Sequence, residues 1–311
     1  MSSLAAARTP VPALREIADG AFAYVQPDGS WWINNTGLLV GPTGAVSIDT
    51  CATEARTRAY REAIAATTAQ PVRTLVNTHH HGDHTHGNYL FRDATIVAHE
   101  STRSALLEAG VWRNPPFWTP FELGAVELEP PSLTYTEAVT LWVGDRRCEV
   151  RHVGQPAHTT NDSIVWLHEQ SVLYAGDLLF AGGTPFVLMG SVTGAIAVLE
   201  NVLAPLGAQT IVPGHGEVGG PELIEQVLGY LRFVWQQAQR GHDAGLSPLE
   251  LARQIDLGEY AELLYAERLV GNLHRAYADL GPDPQGAPLD LAAPLADMVT
   301  LNGGRPLTCL A

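Results

Sequence analysis

The chain reads as an α+β protein: two β-sheets packed together inside helices, with a helical extension at the C-terminal end. Three features predict this. Strand-like runs fall into two groups, and a helical run follows each. After Gly220 the apolar residues switch to helical spacing. Of the 311 residues, 46% are hydrophobic, enough to fill a large layered core.

The elements follow in order. Residues 22–25 and 31–40 read as two strands joined by a Pro/Gly turn over 26–30. A second turn over 41–44 leads into a strand ending at Asp49. Residues 53–68 are alanine-rich with arginine and glutamate, which predicts a helix. The apolar run 72–77 predicts a buried strand, 94–98 another, and 100–109 a helix. Residues 110–131 are proline-rich and irregular. Strands over 133–135, 139–143, 148–153, 163–167 and 172–175 are assigned to the second sheet, and 192–203 to a helix. Beyond Gly220, residues 221–240 carry Leu223, Val227, Leu231 and Val234 at helical spacing. Ser247 before Pro248, with Glu250 three residues on, predicts a capped helix start. Residues 260–280 predict a long helix and 281–311 an extended tail.

The densest chemistry lies just after the strand over 72–77. His79, His80, His81 and His84 crowd beside Asp83. Packing does not explain such a packet, because imidazoles repel when charged and gain little from crowding when neutral. A divalent cation does, since neutral imidazoles and an ionised carboxylate are good ligands. Three further candidates repeat the arrangement of strand, tight turn and ligand: His158 in a Gly/Pro turn, Asp177 after an apolar strand, and His215 between two glycines. Two cations sharing one carboxylate would use all seven.

The pattern His79-x-His81-x-Asp83-His84, with His158, Asp177 and His215 following in order, resembles the metallo-β-lactamase superfamily over roughly residues 20–220. The resemblance implies a four-layer αββα sandwich over residues 1–220. Residues 221–311 remain as a helical cap or dimerisation extension with its tail. It implies one metal on His79, His81 and His158, a second on Asp83, His84 and His215, and Asp177 bridging them. It places Asp49 beside the site as an outer carboxylate that orients an imidazole. Asp83 would also aim the attacking hydroxide, held between two divalent metal ions, with zinc first and iron or manganese as competitors. Some class B β-lactamases carry cysteine where this chain has Asp177, and flavodiiron proteins carry glutamate where it has His81. The expected branch is therefore that of glyoxalase II, lactonases and thioesterases, cleaving a thioester, ester or lactone. The alternatives are a mononuclear-iron oxidoreductase resembling persulfide dioxygenases, or a hydrolase of phosphodiesters, sulfate esters or β-lactams.

Composition narrows the partners to a small-molecule substrate. Net charge is −15, and all 18 basic residues are arginine. An acidic chain is a poor partner for nucleic acid or an anionic membrane, and without lysine there is no Schiff-base chemistry. No transmembrane run and no signal peptide are read, so a cytoplasmic protein, with a homodimer as one option, is expected. Cys51, Cys148 and Cys309 read as reduced thiols, with Cys51 a core residue. His80 and His86 have no ligand role in the pattern, and His99 is a candidate neighbour of the site. Trp31, Trp32, Trp112, Phe117, Trp118, Phe186 and Met189 are candidates for an apolar pocket wall or for ordinary core.

Overall fold

The computed structural model describes residues 12–27, 29–113 and 117–311. Asp28 of the turn over 26–30 and residues 114–116 of the irregular stretch lie outside the described residues, as does the N-terminal stretch 1–11.

Two sheets form the centre. Strands β1 (Ala13–Ala18), β2 (Ala21–Val25), β3 (Thr36–Val40), β4 (Ala45–Ile48), β5 (Val72–Val76), β6 (Thr95–His99) and β7 (Leu133–Tyr135) make a seven-stranded sheet in that order. β1 to β4 pair antiparallel, and β4 to β7 pair parallel. Strands β8 (Ala138–Val143), β9 (Arg146–His152), β10 (Ser163–Leu167), β11 (Val172–Phe180) and β12 (Thr210–His215) make the second sheet, ordered β12-β11-β10-β9-β8. Its β11–β12 pair is parallel and the rest are antiparallel.

Strand period sets the layers, because successive side chains point to opposite faces. Leu39, Val46, Val76 and Val97 meet Val150, Val165, Leu167 and Tyr174 between the sheets. Gly37 makes this contact close, since a Cβ there would lie 2.5 Å from the Tyr174 ring. Their neighbours Leu38, Leu75 and Ile96 face outward, under Tyr60 and Ile64 of helix α1 (Glu54–Thr67). Thr53 caps that helix by accepting from Arg56 N at 3.2 Å. α2 (Gly82–Thr85) is a single turn holding part of the histidine packet, and α3 (Glu100–Ala109) follows β6. On the other side Ile164, Trp166 and Leu173 pack under α4 (Val192–Val198) and α5 (Glu222–Asp243). α6 (Pro248–Ala252), α7 (Arg268–Leu280) and α8 (Ala292–Leu301) complete this layer. The architecture is the expected sandwich with C-terminal helices.

Several expectations are corrected. β7 joins the first sheet, beside β6, and not the second. β1, whose side chains are mostly exposed or half-exposed, was not anticipated. Only residues 36–40 of the predicted strand 31–40 are strand. Trp32 has φ 68°, and Asn34 and Asn35 donate side-chain bonds to Thr50 O, Pro213 O and Gly216 O, which folds the segment over the sheet ends. The predicted helix 260–280 breaks. Leu264 N donates to Gly182 O at 3.0 Å and Thr184 N to Leu264 O at 2.9 Å, so these residues run beside the loop after β11. α7 then starts at Arg268. The tail is not simply extended: α8 buries Leu295 and Met298, and Leu307 pairs with Trp118 as a short parallel bridge.

Candidate metal centre

All seven predicted ligands gather at one end of the two sheets. His79, His81, Asp83 and His84 lie on the loop and short helix after β5, His158 in the loop between β9 and β10, Asp177 within β11, and His215 at the end of β12. Strand ends make a rigid base, and the loops they carry can be polar without disturbing the core.

Two donor clusters share Asp177. One is His79, His81, His158 and Asp177; the other is Asp83, His84, Asp177 and His215. Within each, the candidate ligand atoms lie within 4.8 Å of one another. Asp177 Oδ2 is 3.3 Å from both His158 Nε2 and His215 Nε2, and Asp177 Oδ1 is 3.0 Å from His84 Nε2. Asp83 Oδ2 is 3.3 Å from His215 Nε2. His81 Nδ1 faces His158 Nε2 at 2.9 Å, which places two lone-pair donors together. Gly214 permits the approach of β12, since a Cβ there would fall 1.9 Å from Asp177 Oδ1.

The donor set suits divalent cations. His79 Nε2 is buried without a hydrogen-bond partner among the described residues, and a buried polar atom left so is costly. Burial pushes His79 and His81 well below the usual imidazole range, leaving neutral lone pairs. Burial alone would raise Asp83 and Asp177, yet neighbouring imidazoles hold both carboxylates ionised. Those carboxylates in turn overcome burial at His84, which is raised well above the usual range, and at His215, pushed up to about 9. Buried anions that draw protons onto adjacent imidazoles mark a place for positive charge. Nitrogen and oxygen donors without thiolate fit zinc, iron or manganese.

Outer contacts fix the candidate ligands. His84 Nδ1 donates to Asp49 Oδ2 at 2.9 Å, so the outer carboxylate expected at Asp49 does orient an imidazole. Asp49 also accepts from Thr78 N and Thr78 Oγ1, both at 2.7 Å. The Phe186 carbonyl accepts from His158 Nδ1. Asp162 holds the His158 turn through Thr159 N at 2.8 Å and Thr159 Oγ1 at 2.7 Å. Asn161 Oδ1 accepts from His80 N at 3.1 Å, and Ser163 N donates to Thr78 O at 2.8 Å, tying the loops together. Asn161 and Asp162 were missed, although a Thr-Thr-Asn-Asp run beside a candidate ligand signals such a turn.

The other histidines divide. His80 is buried against Asn161, and His86 is buried, stacked on Trp32 at 5.9 Å. His99 does not approach the cavity: it stacks on His152 at 4.0 Å and bonds to Ser101 Oγ and Thr136 O. Cys51 is a fully buried core residue, its thiol pushed up to about 12 by burial.

A cavity opens over the two clusters. Trp31, Trp32, Trp112, Trp118, Phe186 and Met189 line it, as the pocket-wall reading expected, whereas Phe117 packs against the core. Arg268, Leu291 and Leu295 also line it, and none was anticipated. They reach the site only through the fold of the C-terminal helices, and nothing local in the sequence marks them.

Comparison with known proteins agrees with this geometry. The family described as Metallo-beta-lactamase superfamily matches residues 29–215. A "Metallo-beta-lactamase type 2" of Bacteroides fragilis is 25% identical over 222 residues, 68% of this chain and 82% of the relative. A "Hydroxyacylglutathione hydrolase" of Rhodospirillum rubrum is 30% identical over 141 residues, 44% of this chain and 45% of the relative. A solved "Metallo-beta-lactamase from Pontibacter korlensis" shares the fold with a TM-score of 0.60 at 21% identity, over 71% of this chain and 99% of that one. With the match spanning most of the chain and the donor set intact, the protein is a metal-dependent hydrolase that belongs to the metallo-beta-lactamase superfamily.

Proposed function

We propose a dinuclear metallohydrolase that opens a carbonyl–heteroatom bond by attack of water, with a β-lactam amide as the first substrate class. The observation that carries the reading is the pair of donor clusters sharing Asp177 under an aromatic cavity. His79, His81 and His158 would hold one cation, Asp83, His84 and His215 the other, with Asp177 between them. When bound, such cations supply Lewis acidity and make hydroxide available near neutral pH. Asp83, at the cavity floor, orients the attacking water. The tryptophans exclude bulk water and press the substrate onto the floor.

The sequence alone favoured a thioester, ester or lactone. Similarity to proteins named type 2 metallo-beta-lactamases, over 68% and 64% of the chain, moves the β-lactam ahead. The acyl ester reading stays second because the shared donor is Asp177, a carboxylate and not a thiolate, and because of the shorter hydroxyacylglutathione hydrolase match. A mononuclear-iron oxidoreductase would leave the second complete cluster unused. Arg268, Leu291 and Leu295 on the cavity wall support the cap reading of residues 221–311 over a dimer surface.

The test compares kcat/KM for penams, cephems, acyl thioesters, lactones and a bis-aryl phosphodiester at two zinc equivalents. A β-lactam should lead, and Asp83→Asn should lower its kcat by about 10²–10⁴-fold with the fold intact. A thioester or lactone lead selects the second reading. A phosphodiester lead above about tenfold, near 1.4 kcal/mol of transition-state preference, refutes both.

A further inference from the structure

Among the described residues, Arg268 is the sole lysine or arginine on the wall of this cavity. It comes from α7, is 1% exposed, and lies over Trp31 with the guanidinium carbon 3.9 Å from the ring centre. Its Nη1 donates to Thr184 O at 2.9 Å. Its Nε is buried without a partner, and no carboxylate among the described residues comes within 4.0 Å of it. The adjacent Glu267 acts on it electrostatically but does not contact it, and its Oε1 accepts from Trp31 Nε1 at 3.0 Å.

The second buried arginine shows what a purely structural one looks like. Arg275 spends Nε on Leu188 O at 2.9 Å and both terminal nitrogens on Ala287 O at 3.1 and 3.0 Å. Arg268 lacks that satisfaction. A buried guanidinium without a counter-charge is costly. Asp83 and Asp177 lie near enough to act on it electrostatically, but both face the donor clusters. Cations in those clusters would claim that negative charge and leave Glu267, which makes no direct contact, as the remaining carboxylate acting on the guanidinium.

We propose that Arg268 recognises an anionic group on the substrate, and that the cavity selects aromatic acids: a flat apolar body against the tryptophans with an acidic substituent directed to Arg268. This rests on the reading that the substrate enters this cavity. It makes the C-terminal helices carriers of specificity. Arg268 is a positioning residue, outside the bond-breaking chemistry. The rival role is a staple in which the cation–π contact merely holds α7 to Trp31.

Calorimetry on the zinc-loaded full chain separates these roles without turnover, so failure to hydrolyse any substrate does not decide it. The probes are naphthalene-2-sulfonate, a poor zinc ligand, and its neutral isostere 2-(methylsulfonyl)naphthalene. The wild type should bind the sulfonate at least about tenfold more tightly, roughly 1.4 kcal/mol. Arg268→Gln should bring the ratio within about twofold of one. Arg268→Lys should lower it at least about threefold, because an ammonium lacks the planar fork. A wild-type ratio near one overturns the proposal. So does an unchanged ratio in folded Arg268→Gln, whatever its melting temperature. If Arg268→Gln does not fold, the Arg268→Lys ratio decides, and no change there overturns it.

Discussion

Replacing Asp49 by asparagine should cost metal binding more than folding. The carboxylate is 2% exposed and accepts three hydrogen bonds: Thr78 N at 2.7 Å, Thr78 Oγ1 at 2.7 Å and His84 Nδ1 at 2.9 Å. In Asp49→Asn the remaining oxygen can keep Thr78 N. The new amide then faces Thr78 Oγ1 and His84 Nδ1. A hydroxyl can turn to accept, but an imidazole must move its proton from Nδ1 to Nε2. His84 Nε2 is the atom 3.0 Å from Asp177 Oδ1, in the second donor cluster. Protonating it removes the lone pair that a cation would use. Losses of an outer partner of this kind run about 10–100-fold in metal affinity, which is about 1.4–2.7 kcal/mol. Weakening two charge-assisted bonds costs the metal-free fold about 1–3 kcal/mol besides. Competition with a chromophoric chelator measures both zinc equivalents, and urea unfolding measures the fold. Thr78→Val is the control for the second cluster, because it removes one bond to Asp49 and the 3.0 Å contact to His79 Nδ1 in the first cluster but leaves the His84 tautomer alone. If both zinc affinities in Asp49→Asn stay within about threefold of wild type, the tautomer argument is wrong.

Three other outcomes follow from the same geometry. Asp177→Ala should hold no more than about one zinc per chain by elemental analysis, since it removes the donor shared by both clusters; two tightly held equivalents would contradict the bridge. His152 is pushed down to about 4 by burial and by the stacked His99, so the unfolded chain binds its proton more readily. Its contribution to stability is therefore present above about pH 6.5 and lost as pH falls through 4. His152→Gln should flatten this acid loss by about 1–2 kcal/mol after solvent screening, and urea midpoints that fall equally in both proteins would exclude it. Leu307 is fully buried beside Trp118, so Leu307→Ala should destabilise the fold by about 2–4 kcal/mol, and an unchanged urea midpoint would show the strap to be dispensable.

The candidate ligands were legible in the sequence from one dense packet and from the order of three later residues. A cluster of histidines after a buried strand has no packing reason to be there, whereas His158, Asp177 and His215 are unremarkable singly and stand out by following that cluster in order. Helices α1 and α5 were legible from alanine content and from the helical spacing of apolar residues. Other features are set by distant partners. Residues 263–265 have helical composition, yet the strand-like contact with Gly182 and Thr184 wins and Tyr265 takes φ 62°. Trp31 to Ile33 are aromatic and β-branched like a strand, yet the Asn34 and Asn35 amides find the carbonyls of Thr50, Pro213 and Gly216. Arg268 was invisible for the same reason, since its neighbours Trp31 and Thr184 are far away in the chain.

The strap formed by Leu307 bears on the order in which the molecule is assembled. Translation delivers every donor by His215, while Arg268, Leu291, Leu295 and Leu307 emerge later. A nascent chain can therefore gather its metal-binding end while Trp31 and Trp118 still lack their cover of C-terminal side chains. During that interval the indoles are exposed apolar surface of the kind that draws chaperones or aggregates. Emergence of the C-terminal helices is then the step that covers the indoles.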